Sequence, residues 1–122
     1  MNENIVNQYK INFQNVAEQF PGFSKEIDKT PDTNNQYLSM FLYSWNAQDI
    51  NETLIPDINI ALSNPESEIE NGSETISILI YQNKVDFYDD GFVCTIPTQD
   101  FKEIVIGWRD FLLTPPLNGT KV

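Results

Sequence analysis

The sequence contains no histidine, one cysteine and only seven lysines and arginines, and each scarcity removes a class of chemistry. Without histidine, and with Cys94 alone, nitrogen- and sulfur-ligated zinc and related metal sites lack their ligands. A serine or cysteine nucleophile likewise lacks its usual base. One cysteine permits no internal disulfide. The five glycines are isolated at turns, apart from Gly107 in a helical stretch, so no Gly-rich loop is present to cradle a phosphate.

The shortage of positive charge bears on partners. Seven basic residues against 18 acidic ones give a formal charge of −11, which repels phosphate backbones and anionic headgroups across a Debye length of ~8–10 Å. No nucleic acid and no membrane partner is expected; a basic protein is, because complementary charge accelerates encounter. No positively charged segment followed by an apolar stretch opens the chain at Met1-Asn2-Glu3-Asn4, so a cytoplasmic location is expected. Asn51, Asn71 and Asn118 match the Asn-x-Ser/Thr pattern, which matters only in a secreted protein.

What is present suits one globular domain over residues 1–122. With 40% apolar and 12% aromatic residues, a chain of this length can bury a core. Ile5, Tyr9, Phe13, Val16 and Phe20 recur at helical spacing, predicting an N-terminal helix that stops at Pro21-Gly22, although Tyr9 to Phe13 also alternates as a strand would. Polar residues 24–36 read as a connection. Tyr37 to Trp45 suits either a buried strand or two helical turns. Ile58, Ile60 and Leu62 alternate, with Pro56 confining that segment to a sheet edge or strand start. Pro65 to Glu74 reads as an acidic loop with a turn at Asn71-Gly72.

The C-terminal half is more explicit. Two-residue turns at Asn83-Lys84 and Asp90-Gly91 predict a three-stranded meander in which Ile80 faces Phe87, Phe87 faces Cys94 and Val85 faces Ile96. Ile76, Ile78, Ile80, Val85, Phe87, Phe92, Cys94 and Ile96 then share one face. Leu79, Tyr81, Asp86, Tyr88, Val93 and Thr95 share the other. After Pro97, Thr98 is placed as an N-cap with Asp100 in the first turn. Phe101, Ile104, Val105, Trp108 and Leu112 form an apolar stripe on the helix that follows, ended by Thr114-Pro115-Pro116. The fold class is α+β: an antiparallel meander with an N-terminal helix and a C-terminal amphipathic helix packed on it.

Asp86, Asp89 and Asp90 invite a catalytic or metal reading, and parity weighs against both. Aligning Gly91 with the glycine of a calcium loop puts Tyr88 and Pro97 where carboxylates are needed. Asp86 and Asp89 fall on opposite sides of the strand, whereas paired-carboxylate hydrolysis needs two acids converging on a cleft. Asp90 serves the turn, and Cys94 packs beside Phe87. No catalytic residue, metal site or cofactor is therefore assigned. Glu66, Glu68, Glu70 and Glu74, with Asp86 looking outward between Tyr81 and Tyr88, are the candidate partner-binding residues. Ile106 and Leu113 lie off the helix stripe, facing either the N-terminal segment or an interface.

The run Asp90-Gly-Phe-Val-Cys-Thr-Ile-Pro-Thr-Gln-Asp-Phe-Lys-Glu-Ile-Val-Ile-Gly-Trp-Arg-Asp-Phe-Leu112 resembles the C-terminal strand and helix of bacterial immunity proteins, the inhibitors encoded beside polymorphic and contact-dependent toxins. The resemblance covers about the last third of the chain and transfers no binding residue. It implies a cytoplasmic protein without enzymatic activity, a monomer or weak homodimer, that binds and blocks a cognate toxin domain, frequently a basic nuclease. In size, acidity and mixed content the chain also resembles type III secretion chaperones. That alternative implies a dimer with Trp108, Ile106 and Leu113 near its self-contact. A carboxylate-dependent hydrolase is a third reading, requiring two acids in one pocket.

Overall fold

A computed structural model of the chain describes residues 1–18 and 26–115. The chain begins with helix α1 (Glu3–Tyr9), opened by the Asn2 side chain accepting from the Asn4 N–H and closed by Lys10 in the left-handed region at φ 50°. That reversal ends the expected long helix after two turns. Ile11, Phe13 and Asn15 are buried in alternation, so the strand reading prevails and Phe13 and Val16 lie on β1 (Asn12–Glu18). Phe20 and Pro21-Gly22 lie outside the described residues.

The expected connection over 24–36 contains β2 (Glu26–Asp32), antiparallel to β1 with Phe13 opposite Pro31. Its polar sequence hides the strand because one residue, Lys29, is tied down by charge and not by apolar burial. Lys29 Nζ donates to Asn15 Oδ1 (2.8 Å) and Thr114 Oγ1 (3.0 Å) and sits 4.4 Å from the centroid of the Phe111 ring. Burial lowers its pKa.

Residues 37–45 resolve in favour of a helix, α2 (Gln36–Tyr43), whose N-cap Asn35 accepts from the Tyr37 and Leu38 N–H groups. A helical course follows through α3 (Ala47–Asp49), a π-helical turn (Ile50–Leu54) and α4 (Ile55–Ser63). The alternation expected to make residues 54–62 an edge strand is thus overturned. Ile50, Leu54, Ile58 and Ala61 are the buried positions, at helical spacing, while Ile60 is exposed. Pro56 sits in the first turn of α4, where its missing N–H does least harm, and the widened turn just ahead closes through the Ile55 N–H on Ile50 O.

Four antiparallel strands follow in the order β3 (Ile69–Gly72), β4 (Ser77–Ile80), β5 (Val85–Tyr88) and β6 (Phe92–Ile96). The meander is therefore one strand wider than the sequence predicts, because the acidic stretch is not all loop. Ile69 faces Ile80 and Glu70 faces Leu79, and the turn falls beyond Asn71-Gly72, closed by Ser73 N–H to Ile76 O (2.8 Å). The β4–β5 register is also corrected: Ile80 faces Val85 and Ile78 faces Phe87. The connection spans Tyr81 to Lys84, closed by Tyr81 N–H to Lys84 O (2.8 Å). A shift of two residues preserves parity, so both faces keep their members. Phe87 faces Cys94 and Val85 faces Ile96 as expected, but an irregularity at Phe87/Tyr88 brings Tyr88 opposite Phe92. Phe92 leaves the core face and is 61% exposed. Asp90 and Gly91 both take positive φ at the hairpin tip, the backbone that Asp-Gly favours.

Helix α5 (Thr98–Leu112) buries Phe101, Ile104, Val105, Trp108 and Phe111, with Phe111 taking the place expected of Leu112. Pro97 is its N-cap; Thr98 is buried and donates its hydroxyl to Tyr81 O (2.7 Å), so it ties helix to sheet. Rings join the layers. Phe87 meets Phe101 edge-on at 5.7 Å, Phe41 lies 6.0 Å from Phe87, and Phe13 meets Trp108 at 5.0 Å. Trp108 is 1% exposed and donates Nε1–H to Leu42 O (2.9 Å). The architecture is α+β, with an N-terminal helix, two antiparallel sheets and a C-terminal helix. The Tyr9 hydroxyl donates to Asp100 Oδ2 (2.7 Å), joining α1 to α5. Burial first, then that carboxylate, raises the Tyr9 pKa well above its ordinary value.

Candidate partner-binding surface

Strand alternation gives the four-stranded sheet two unlike faces. Toward the helices point Ile78, Ile80, Val85, Phe87 and Ile96, all buried. Away from them the pairing aligns Glu70, Leu79, Asp86 and Thr95 in one row across the strands, with Ser77, Tyr88 and Phe92 in the next. Glu70, Ser77, Phe92 and Thr95 are exposed, and Leu79, Tyr81 and Tyr88 half-buried. The N-terminal half packs on the inner face, through Phe41 against Phe87.

Of the residues expected to meet a partner, the outer face brings together Glu68, Glu70, Tyr81, Asp86 and Tyr88. The Tyr81 hydroxyl lies 3.5 Å from Glu68 Oε1, tying the β4–β5 connection to the entry of β3. Partial desolvation, then Glu68, Tyr88 and Asp86, raise the Tyr81 pKa. Glu66 stands apart in the turn after α4, its N–H on Asn64 Oδ1 (3.0 Å). Glu74 is exposed at the other end of the β3–β4 hairpin, in a depression with Ser44, Trp45, Asp49, Gly72 and Ser73. The four glutamates consequently spread along one edge of the sheet rather than forming one loop.

Asp86 occupies the expected face between the tyrosines, yet is only 6% exposed. Lys84 covers it, with Nζ 3.1 Å from Oδ2 and 5.1 Å from the centroid of the Tyr81 ring, and the Thr95 hydroxyl donates to its other oxygen. The hydrogen bond to Asp86, then its charge, raises the Lys84 pKa. The Asp86 carboxylate is thus satisfied from within the sheet, and the negative charge of this face without a cationic partner belongs to Glu68 and Glu70.

Two features were not legible in the sequence. A depression of about 310 Å³ lies on the outer face between Glu70, Ser77, Ile78, Leu79 and Tyr88; it exists only because residues 69–72 form a strand. A second, between β2 and α2, is lined by Asp28, Thr30, Pro31, Asp32, Ser39, Met40 and Tyr43. The apolar-aromatic run from Tyr37 to Trp45 is its only sequence-level signal; in the structure Tyr43 is 55% exposed. Cys94 is half-buried and paired with Phe87, with Asn35 Nδ2 3.4 Å from its sulfur. Among the described residues, no three His, Cys, Asp or Glu side chains gather as metal ligands. Among the same residues, no helix is long and apolar enough to cross a membrane.

The fold and this surface define a small α+β protein with an acidic, tyrosine-bearing sheet face turned away from its core. No protein-family model, curated protein or solved structure matches the chain.

Proposed function

We propose that the chain is a binding protein without catalytic activity, and that its partner is a basic protein: a cytoplasmic immunity protein that neutralises a cognate bacterial toxin domain, in the simplest case a nuclease. The observation that carries this reading is the outer sheet face, where Glu70 and Tyr88 on the strands stand with Glu68 and Tyr81 just beyond the strand ends, and where the Glu70 carboxylate has no cation among the described residues. Tyrosines supply contact area at low entropic cost. A formal charge of −11 steers a cationic partner toward that face. The alternative, an acidic type III secretion chaperone, would use Trp108 with Ile106 and Leu113 for self-contact. Trp108 is sealed against Leu42 and Phe13, Ile106 is half-buried, and only Leu113, at 66% exposure, is open, so this geometry favours the immunity reading.

Replacing Glu66, Glu68, Glu70 and Glu74 together by Gln tests the steering. Association with the toxin domain encoded beside the gene should slow by roughly tenfold or more at low salt and by much less at high salt. An unchanged association rate in a complex that still forms would remove the glutamate edge from the contact.

A further inference from the structure

Resting on the binding reading above, we infer that the depression between Glu70, Ser77, Leu79 and Tyr88 is the anchor pocket for a single arginine side chain of the basic partner. Its shape follows from the cross-strand rows. Ser77, a small side chain, lies between Gly72 and Tyr88 in one row, and Leu79 lies beside Glu70 in the next. Ser77 fills little of the space, so a hollow of about 310 Å³ opens, lined by Ser77 and Ile78, by half-buried Leu79 and Tyr88 and by exposed Glu70. The Tyr88 ring is held by Phe92, edge-on at 5.9 Å.

The chemistry of the lining selects the occupant. The apolar Leu79 accepts a methylene stem, the Tyr88 ring accepts a flat cation, and the exposed Glu70 carboxylate accepts a forked donor. Guanidinium meets all three requirements at once. An ammonium is a compact, strongly hydrated point charge that loses more on leaving water and cannot stack. A purely apolar occupant would cover the Glu70 carboxylate without giving it a partner, and an anion would be repelled by it.

The other hollows also hold carboxylates, Asp28 and Asp32 beside Met40 and Asp49 and Glu74 beside Trp45, but neither lies on the outer sheet face. Beside Met40, the Asp28 carboxylate already accepts from the Tyr43 hydroxyl at 2.6 Å. Beside Trp45, Asp49 Oδ2 accepts from Asn46 Nδ2 at 3.1 Å. Among the described residues the only ion pairs are Lys84–Asp86 and Arg109–Asp110, so none of their cations occupies the Glu70 carboxylate.

The probe is the tripeptide acetyl-Gly-Arg-Gly-amide, titrated into the ¹⁵N-labelled protein beside its Lys and Gln counterparts. Saturable shifts are expected at the amides of Glu70, Ser77, Leu79 and Tyr88 with the Arg peptide, weaker by at least about threefold with Lys and missing with Gln. Glu70→Gln should weaken the Arg peptide by about tenfold, the loss of one charge-assisted contact. Ser77→Leu, at an exposed strand position, should fill the hollow and abolish the shifts while leaving the remaining spectrum intact. Equal binding of Arg and Lys, shifts scattered over all acidic residues, or an unaltered titration in Glu70→Gln would each overturn the pocket. The two readings separate with the whole toxin. A complex of unchanged affinity with Ser77→Leu overturns the arginine anchor and leaves the binding reading standing, whereas no complex with the wild-type protein overturns the binding reading itself.

Discussion

The two faces of the four-stranded sheet are built from the same strands, one residue out of phase, and they carry different duties. Phe87 is fully buried against Phe41 and Phe101, whereas its chain neighbour Tyr88 stands half-buried at the edge of a hollow. The inner face holds the core together and has no room for a ligand. The outer face contributes little to the core and so is free to carry charge. Strand alternation thus separates stability from recognition within a few residues.

Substitutions in adjacent positions test this separation directly. Phe87→Ala, and likewise Trp108→Ala, should each lower the free energy of unfolding by about 3–5 kcal/mol, measured by denaturant titration. A loss below about 1 kcal/mol would mean that the side chain is not in the core. Tyr88→Ala should lower it by only about 1 kcal/mol, since part of the ring is already in water and what it loses is chiefly its contact with Phe92. Asp86 is the exception on the outer face. Asp86→Ala should destabilise by about 1–2 kcal/mol, because a buried side chain and its hydrogen bond from the Thr95 hydroxyl are lost.

The Lys84–Asp86 pair gives that exception a pH signature. The folded Lys84 pKa is raised above its unfolded value, so folding favours the protonated amine. Its contribution is fully present below the ordinary lysine range near pH 10.4 and is lost as pH rises through the raised value. Tyr9, also raised, acts in the same sense above about pH 10. Asp86→Asn should therefore flatten part of the alkaline decline in stability, and Tyr9→Phe a separate part; identical alkaline limbs in all three proteins would contradict both assignments. The smallest expected effect is that of Glu70→Gln, which should change stability by less than about 0.5 kcal/mol in either direction. A larger loss would show Glu70 to be structural and not poised for a partner.

The same separation explains what the sequence could reveal. The parity of the inner and outer residues survived an error of two residues in the β4–β5 register, because a shift by an even number leaves every side chain on its face. Tyr81, Asp86 and Tyr88 could therefore be grouped correctly from two turn signals. Phe92 could not, since an irregularity beside Tyr88 moves it off the core face. The stripe of α5 was legible because amphipathic periodicity is strongest in a long helix on one layer. The N-terminal half was harder. Phe13 and Val16 continue the helical spacing of Ile5 and Tyr9, yet Lys10 turns the chain and β2, with little apolar character of its own, captures them by pairing. Ile58, Ile60 and Leu62 alternate by coincidence within a helix, and Pro56 reads equally as a strand start or a first helical turn. The arginine-sized hollow was hidden for a related reason: the acidic segment around Glu70 becomes a strand only because Ile69 can pack opposite Ile80.

The central claim, that the outer sheet face meets the partner, is tested most directly by labelling the five tyrosines with fluorine and recording ¹⁹F spectra with and without the basic toxin domain. Tyr81 and Tyr88 should shift on binding, while exposed Tyr43, in the groove between β2 and α2, and buried Tyr9 should not. A shift of Tyr43 with Tyr81 and Tyr88 unmoved would place the contact on the opposite groove and contradict the account.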